Sequence, residues 1–309
     1  MADWQTGSHL EFVPLNNCIE ERPDKYKMAP PSYSDLGKAA KDLFSKGFNY
    51  GTNKVEVKTK TESGIKFTTK GNHNTDTGRM SGDLKTEYKC SDYGLTFNET
   101  WTTDNELSTE VSIEDQLAQG LKLAFETKFA PQTGKKSGKV KGGFKNDYVN
   151  LNCDVDFNFS GPTVNGNAVL GYNGFLAGYQ MAFDTSKSTL SKSNFALGYD
   201  GGDYTINTSV VDASVFGGSV FQSVNKNLDV GVDLSWTSGT NTTSFGLAGK
   251  YVLDKNASVS AKVNNNGQVG LGYSQNVRNG VKLTLSSQIE AKNINAGGHK
   301  IGMGLEFDL

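Results

Sequence analysis

From residue 51 to the end of the chain, apolar and polar side chains alternate one by one. In 149–157, Val149, Leu151, Cys153, Val155 and Phe157 alternate with Asn150, Asn152, Asp154 and Asp156. In 121–129, Leu121, Leu123, Phe125 and Phe129 share one face, with Lys122, Glu126 and Lys128 opposite. The same rhythm sets Leu228, Val230, Val232, Leu234 and Trp236 against Asp229, Gly231, Asp233 and Ser235. It returns in 281–289, and again in Ile301, Met303, Leu305, Phe307 and Leu309 at the chain's end. A period of two is that of β-strands with two unlike faces. Short turn clusters punctuate the runs, among them Asn173-Gly174, Asp200-Gly201-Gly202-Asp203 and Asn225-Lys226-Asn227. The turn-to-turn distance of about 13–14 residues fits a tilted membrane-crossing strand of ~9–11 residues and its turn. Residues 51–309 then hold roughly 19 strands. No linker or shift in composition divides them, so they form one domain.

The period differs upstream. After Pro30 and Pro31, the spacing predicts an amphipathic helix over 32–46, with Tyr33, Leu36, Ala40 and Leu43 as a narrow apolar stripe. Residues 28–50 are thus a helix and a linker, in which Gly47 and Gly51 bracket a short break. Residues 1–27 show no period and read as an acidic extension, disordered or loosely attached. In them Asp3, Glu11, Glu20, Glu21 and Asp24 oppose Arg22, Lys25 and Lys27.

An alternating sheet can hide its apolar face in two ways. A soluble sandwich seals it between two sheets, whereas a membrane barrel turns it toward lipid and keeps the polar face around a lumen. Only 36% of the residues are hydrophobic, and no run approaches the ~20 apolar residues of a membrane helix. A barrel strand needs no such run. Three features favour the barrel: the length of the alternation, the shortness of the turns, and aromatics near strand ends such as Tyr93, Trp101, Tyr172, Phe175, Tyr199 and Tyr204. A soluble β-rich ligand- or carbohydrate-binding protein is the alternative.

A closed ring of so many strands is too wide for side chains to fill, and its centre is wet. An odd strand number makes the segment near 51–60 pair in parallel with 299–309. The three cysteines (Cys18, Cys90, Cys153) and three histidines (His9, His73, His299) lack disulfide-framework or metal-ligand spacing. Acidic pairs such as Asp154 and Asp156 belong to a wet strand face, and no catalytic or metal site is expected. Gly217-Gly218 and Gly297-Gly298 read as turn and curvature devices. The N-terminus carries neither a signal-peptide nor a transit-peptide pattern, so insertion by internal signals is expected.

The segment Pro30-Pro31-Ser32-Tyr33-Ser34-Asp35-Leu36-Gly37-Lys38-Ala39-Ala40 resembles the start of the mitochondrial voltage-dependent anion-selective channels, the eukaryotic porins. Tyr93-Gly94-Leu95-Thr96-Phe97, Gly120-Leu121-Lys122-Leu123, Leu176-Ala177-Gly178-Tyr179-Gln180, Ala261-Lys262-Val263-Asn264-Asn265 and Asn295-Ala296-Gly297-Gly298-His299-Lys300 add to the likeness, which runs through 28–309. Nineteen is the known strand number of that family, and the count from spacing is not independent of it. The acidic extension of residues 1–27 is a departure from most members.

The resemblance implies an all-β transmembrane barrel with its N-terminal helix inside the pore. It implies a voltage-gated diffusion channel of the mitochondrial outer membrane, passing ATP, ADP, other metabolic and inorganic anions and small cations, with no required cofactor and no enzymatic activity. Residues 28–309 carry equal numbers of basic and acidic residues, which weakens any inference of anion preference. Selectivity depends on where luminal charges sit.

Lys38 and Lys46 match family positions that bind nucleotide phosphates. Gln268, Val269 and Gly270, with Ser286, Ser287, Gln288, Ile289 and Glu290, match a stretch associated with NAD. Of these, alternation puts only Gln268, Gly270, Ser286, Gln288 and Glu290 in the lumen. Glu99 shares its strand parity with Leu95, Phe97 and Trp101, and so faces hydrocarbon. It matches the family's membrane-facing glutamate, associated with channel modulation and hexokinase docking. Lys300, Gly302, Leu305 and Phe307 have the spacing of a mitochondrial barrel-insertion signal. The implied partners are the lipid bilayer, nucleotides and other metabolites, hexokinase, apoptosis regulators of the Bcl-2 family and further copies of the chain. Nucleic acid is not among them.

Overall fold

The computed structural model describes residues 29–157 and 161–309. The extension predicted for residues 1–27 lies outside the described residues. Nineteen strands follow one short helix: β1 (Thr52–Lys60), β2 (Lys66–Asn74), β3 (Met80–Cys90), β4 (Leu95–Thr102), β5 (Leu107–Glu114), β6 (Leu121–Ala130), β7 (Lys135–Lys145), β8 (Val149–Phe157), β9 (Thr163–Tyr172) and β10 (Phe175–Asp184). Then come β11 (Thr189–Asp200), β12 (Tyr204–Val211), β13 (Val215–Asn225), β14 (Leu228–Thr237), β15 (Thr242–Val252), β16 (Ala257–Asn264), β17 (Gln268–Arg278), β18 (Val281–Glu290) and β19 (Lys300–Asp308).

Every consecutive pair is antiparallel, and β1 meets β19 in parallel, with Asn53–Lys58 beside Met303–Asp308. That seam closes the sheet into a barrel. The parity argument from an odd strand number is borne out. Closure pairs the backbone groups around the ring, the condition for crossing hydrocarbon. Lys300 on β19 also forms an ion pair with Asp76 in the β2–β3 turn, reaching past the start of β1.

The turns use residues that tolerate a left-handed backbone. At the β9–β10 hairpin, Asn173 has φ 48° and Gly174 φ 85°, the pair of positive values that a two-residue turn matching the strand twist requires.

The two faces separate as the alternation predicts. Phe125, Leu151, Phe157, Leu170, Leu197, Leu234 and Leu285 stand exposed on the outer surface, whereas polar partners such as Asn150, Asn194, Ser260, Thr284 and Ser286 are buried on the inner one. Leaving such apolar side chains in water forfeits roughly 1.5–3 kcal/mol each, and a lipid surround removes the cost. A sandwich would have sealed them between sheets, so the soluble alternative is not favoured.

The buried apolar core is accordingly small. Leu36, Val169 and Ala196 form a cluster within it, with Tyr33 and Leu176 against them. It lies inside the barrel, where the N-terminal segment meets the wall.

The helix differs from its predicted extent. Tyr33–Asp35 is a single 3-10 turn, Leu36 is extended, Gly37 is left-handed at φ 68°, and α1 runs only over Lys38–Ser45. The break at Gly37 lets Leu36 leave the helical path and enter its apolar pocket. The predicted stripe is otherwise correct, since Leu36, Ala40 and Leu43 are all buried.

Candidate functional site

The lumen is the only feature among the described residues on which the predicted luminal residues converge. Its shape is set by residues 29–51, which lie against one wall. Pro30 is fully buried, and its carbonyl accepts a hydrogen bond from Asn150 Nδ2 at 3.0 Å. Leu36 then sits against Val169 and Ala196. Farther along, α1 rests on β13, β14 and β15.

Glycines on the luminal parity make this seat. A Cβ at Gly171 would stand 2.7 Å from Pro30 Cγ, one at Gly178 2.6 Å from Leu36 Cδ1, and one at Gly231 2.8 Å from Leu43 Cδ2. At Gly246 it would meet Phe44 at 3.0 Å. These four glycines let the segment approach the strands closely. Sequence reasoning missed them. The available signal was glycine recurring at luminal positions of β9–β19, where a wet face would otherwise carry polar side chains. Gly217 and Gly218 behave differently, as neighbours inside β13 that lie on opposite faces.

The far end of the segment is tied by Lys262 of β16. Its Nζ donates to the Phe44 carbonyl at 2.7 Å and lies 4.4 Å from the centre of the Phe48 ring and 5.2 Å from that of Tyr50. The last carbonyls of a helix lack partners within it, and a cation there is favourable. Two aromatic faces add cation–π attraction. Burial pushes the Tyr50 phenol well above its ordinary pKa. The Asn49 amide donates to Ser286 Oγ at 2.8 Å, and Ser286 Oγ donates on to the Gly302 carbonyl at 3.3 Å.

Lys38 and Lys46 both lie on this luminal segment with exposed side chains, and each is matched by a carboxylate one turn away. Lys38 Nζ is 2.8 Å from Asp35 and Lys46 Nζ is 2.7 Å from Asp42. The hydrogen bonds from Lys38 and Ser32 hold the Asp35 carboxyl below the usual range, and Asp35 in turn raises Lys38. The two lysines thus present attenuated rather than free charges.

The residues matched to NAD come together on β17 and β18, where Gln268 faces Glu290, Val269 faces Ile289 and Gly270 faces Gln288. They do not form one open site. Ser286 and Gly270 are buried under the linker, with Tyr50 packed on Gly270. Val269, Ser287 and Ile289 point outward, as parity predicts. Gln268, Gln288 and Glu290 remain, linked by Nε2 donations to Glu290 Oε1 at 2.7 Å from Gln268 and 3.2 Å from Gln288.

Glu99 belongs to the other surface. It stands on the outer face of β4 between Phe97 and Trp101, with Thr86 of β3 and Thr109 of β5 beside it in the ladder. The structure separates it from the lumen altogether. Cys153 is on the outer face as well; Cys90 and Cys153 are free thiols.

The neutral sum of the barrel conceals a segregation. On the luminal face of β1–β3, Lys54, Lys58, Lys60, Lys66, Lys70, Lys85 and Lys89 outnumber Glu56, Asp83 and Glu87. On β9–β19 the acids prevail, with Asp184, Asp200, Asp229, Asp233, Glu290, Glu306 and Asp308 against Lys192, Lys250, Lys262, Lys282 and Lys300. Between these walls the charges cancel locally. Lys139 bridges Asp154 and Asp156 at 3.2 and 3.0 Å, and Lys141 bridges Glu110 and Glu126 at 2.5 and 2.6 Å. Helix and linker therefore cover the acidic side, and among the described residues nothing covers the basic one.

Among the described residues, no group of His, Cys, Asp and Glu is placed to hold a metal ion, and no helix is long and apolar enough to cross a membrane.

Comparison with known proteins agrees with this architecture. The eukaryotic porin family profile matches residues 29–302. The non-selective voltage-gated ion channel VDAC2 of Xenopus laevis is 58% identical over 279 residues, covering 90% of this chain and 99% of that one. The protein of the same name from Homo sapiens is also 58% identical, over 90% of this chain and 95% of its own. Among solved structures, a mutant of Rh. blastica porin has a TM-score of 0.45 at 11% identity, covering 82% of this chain and 95% of that one, a likeness too slight to carry weight.

Proposed function

The chain belongs to the eukaryotic porin family, and on that footing we propose that it is a voltage-gated diffusion channel of the mitochondrial outer membrane, passing nucleotides, other metabolic anions and small cations. It is a channel and not an enzyme. The observation that carries the reading is the closed barrel, apolar outside and charged within, whose inner segment narrows the lumen without filling it with apolar side chains.

Several features support the finer points. Relatives sharing 58% of their residues carry voltage gating in their name. The Lys300, Gly302, Leu305 and Phe307 spacing on β19 supports delivery to the mitochondrial outer membrane. Lys38 and Lys46 stand in the lumen, where ammonium groups concentrate ATP and ADP by attracting phosphate. For NAD, the accessible contacts reduce to Gln268, Gln288 and Glu290; any contact with Ser286 or Gly270 needs the linker to move. Glu99 is the candidate contact for hexokinase, Bcl-2-family regulators or a second copy, because it is a carboxylate on a surface made for lipid.

The deciding experiment is single-channel recording of the full chain in a planar bilayer under KCl and ATP gradients. A large conductance that falls with voltage and passes ATP is expected. A purified, folded chain that forms no conducting pathway overturns the reading. Neutralising Lys38 and Lys46 to Gln should lower ATP flux more than chloride flux, and an unchanged ratio removes them from the mechanism.

A further inference from the structure

We propose that the luminal face of β1–β3 holds a binding station for chains of phosphate groups, on the wall that residues 29–51 leave uncovered. The proposal rests on the reading of the lumen as a solute path. It starts from Glu87, on which three ammonium groups converge: Lys66 at 3.3 Å, Lys85 at 3.7 Å and Lys89 at 3.9 Å. Lys60 stands directly opposite Lys66 in the β1–β2 register and makes no ion pair among the described residues. Four lysines on three neighbouring strands thus stand with one carboxylate, which pairs with three of them. Lys58, the next cation along β1, is already matched by Glu56 at 3.1 Å.

Like charges facing one another across a ladder are destabilising. Glu87 draws three of the four together and offsets one charge, which leaves a net excess of three. Among the described residues, 29–51 pack on β9, β10 and β13–β15, and their linker on β16–β19, so Asp35 and Asp42 lie away from these lysines. The side chains of Lys66, Lys85 and Lys89 are each about half exposed, at 51%, 43% and 64%, and face open lumen.

The chemical class follows from the spacing. Neighbouring strands lie ~4.8 Å apart and alternate residues along a strand ~6.8 Å apart. With Glu87 already at the point where three of them meet, Lys60 on β1, Lys66 on β2 and Lys85 and Lys89 on β3 spread their excess of three charges over three strands, which a row of linked phosphates matches in charge and length. A di- or triphosphate supplies three or more negative charges in such a row, and orthophosphate does not. Lysines act here as point charges on flexible stems, so the station holds its ligand loosely enough for release.

The test measures binding to the refolded full chain in detergent micelles at fixed ionic strength, by titration calorimetry. The probes are inorganic tripolyphosphate, ATP and orthophosphate. The expected order places tripolyphosphate and ATP together, with orthophosphate at least tenfold weaker. Changing Lys66, Lys85 and Lys89 together to Gln should weaken tripolyphosphate at least tenfold. Glu87→Gln should tighten it, a gain that a merely damaged fold cannot produce. Lys38→Gln with Lys46→Gln should leave at least half of the tripolyphosphate binding energy in place. Equal affinity for all three probes, unchanged binding in the triple variant, or no gain from Glu87→Gln overturns the station. Tighter binding of ATP than of tripolyphosphate assigns the affinity to the base and overturns it too. None of these readings depends on conductance, so failure of the channel reading would show separately as a silent bilayer.

Discussion

Lys262 on β16 reaches 2.7 Å to the carbonyl oxygen of Phe44, joining residues 218 positions apart and tying the last turn of the luminal helix to the barrel wall. Its ammonium group also sits over Phe48 and Tyr50, so one side chain holds the helix end and the linker together. Replacing Lys262 with Met keeps the stem and removes the charge. A hydrogen bond to a charged group is worth about 1.5–3 kcal/mol. The expected outcome is a helix end that detaches more often and a channel that closes at lower voltage. Broadened NMR signals for residues 38–46, with the barrel signals unchanged, would register the first part. An unaltered voltage dependence would show that the tie has no part in gating.

The seat of Leu36 offers a cleaner energetic test. Gly178 leaves no room for a side chain, because its Cβ would stand 2.6 Å from Leu36 Cδ1. Gly178→Val should cost about 1–3 kcal/mol through overpacking. Leu36→Ala should cost about 2–5 kcal/mol through loss of its buried contacts. The double variant should cost clearly less than the sum, since the smaller residue vacates the space that the larger one needs. Urea unfolding in lipid vesicles measures all three, and strict additivity would mean that the two do not meet.

How much of this was legible beforehand divides along physical lines. The strands were readable because each carries its own period, and even the parallel seam between β1 and β19 followed from parity. The stripe of Leu36, Ala40 and Leu43 was readable for the same local reason. The break at Gly37 was not, because a glycine tolerated within a helix and one left-handed outside it look alike in sequence. The seats at Gly171, Gly178, Gly231 and Gly246 depend on a partner segment more than 100 residues away, and glycine carries no hydropathy to betray a contact. The charge segregation was hidden by a neutral sum, and only the assignment of every lysine to a wall brings it out. For the residues matched to NAD, the alternation of faces was readable in advance, but the linker's occupation of Ser286 and Gly270 was not foreseeable from spacing.

The Asp35–Lys38 pair makes a pH prediction. Hydrogen bonds from Lys38 and Ser32 hold the folded Asp35 carboxyl below its ordinary value of ~3.9. A depressed folded value means that the stabilisation is fully present above about pH 4 and is lost as pH falls through the depressed value. Docking of the N-terminal turn should therefore weaken only in strong acid. Lys38→Gln removes the larger cause, so the Asp35 midpoint should rise toward that ordinary value. Carboxyl NMR titration of Asp35 in both proteins checks it, and an unmoved midpoint would mean that the ion pair does not form in solution. Both groups are well exposed, so the effect on global stability should be small.

Glu99 separates the outer surface from the passage in a single variant. Its neighbours along the strand, Phe97 and Trp101, are exposed on the lipid side, and beside it across the ladder stand Thr86 and Thr109. Glu99→Gln removes a carboxylate from hydrocarbon and keeps a side chain of nearly the same size and shape. The barrel should gain up to about 2 kcal/mol against unfolding in vesicles, since charges on the lipid face of such barrels are destabilising. The same variant should leave the reversal potential in a KCl gradient unchanged, because the side chain has no path to the lumen. Carbodiimide should label Glu99 in the native protein with kinetics distinct from those of surface carboxylates, and the label should vanish in the variant. A shifted reversal potential would place this carboxylate on the inside of the barrel, and the assignment of faces along β4 would fall with it.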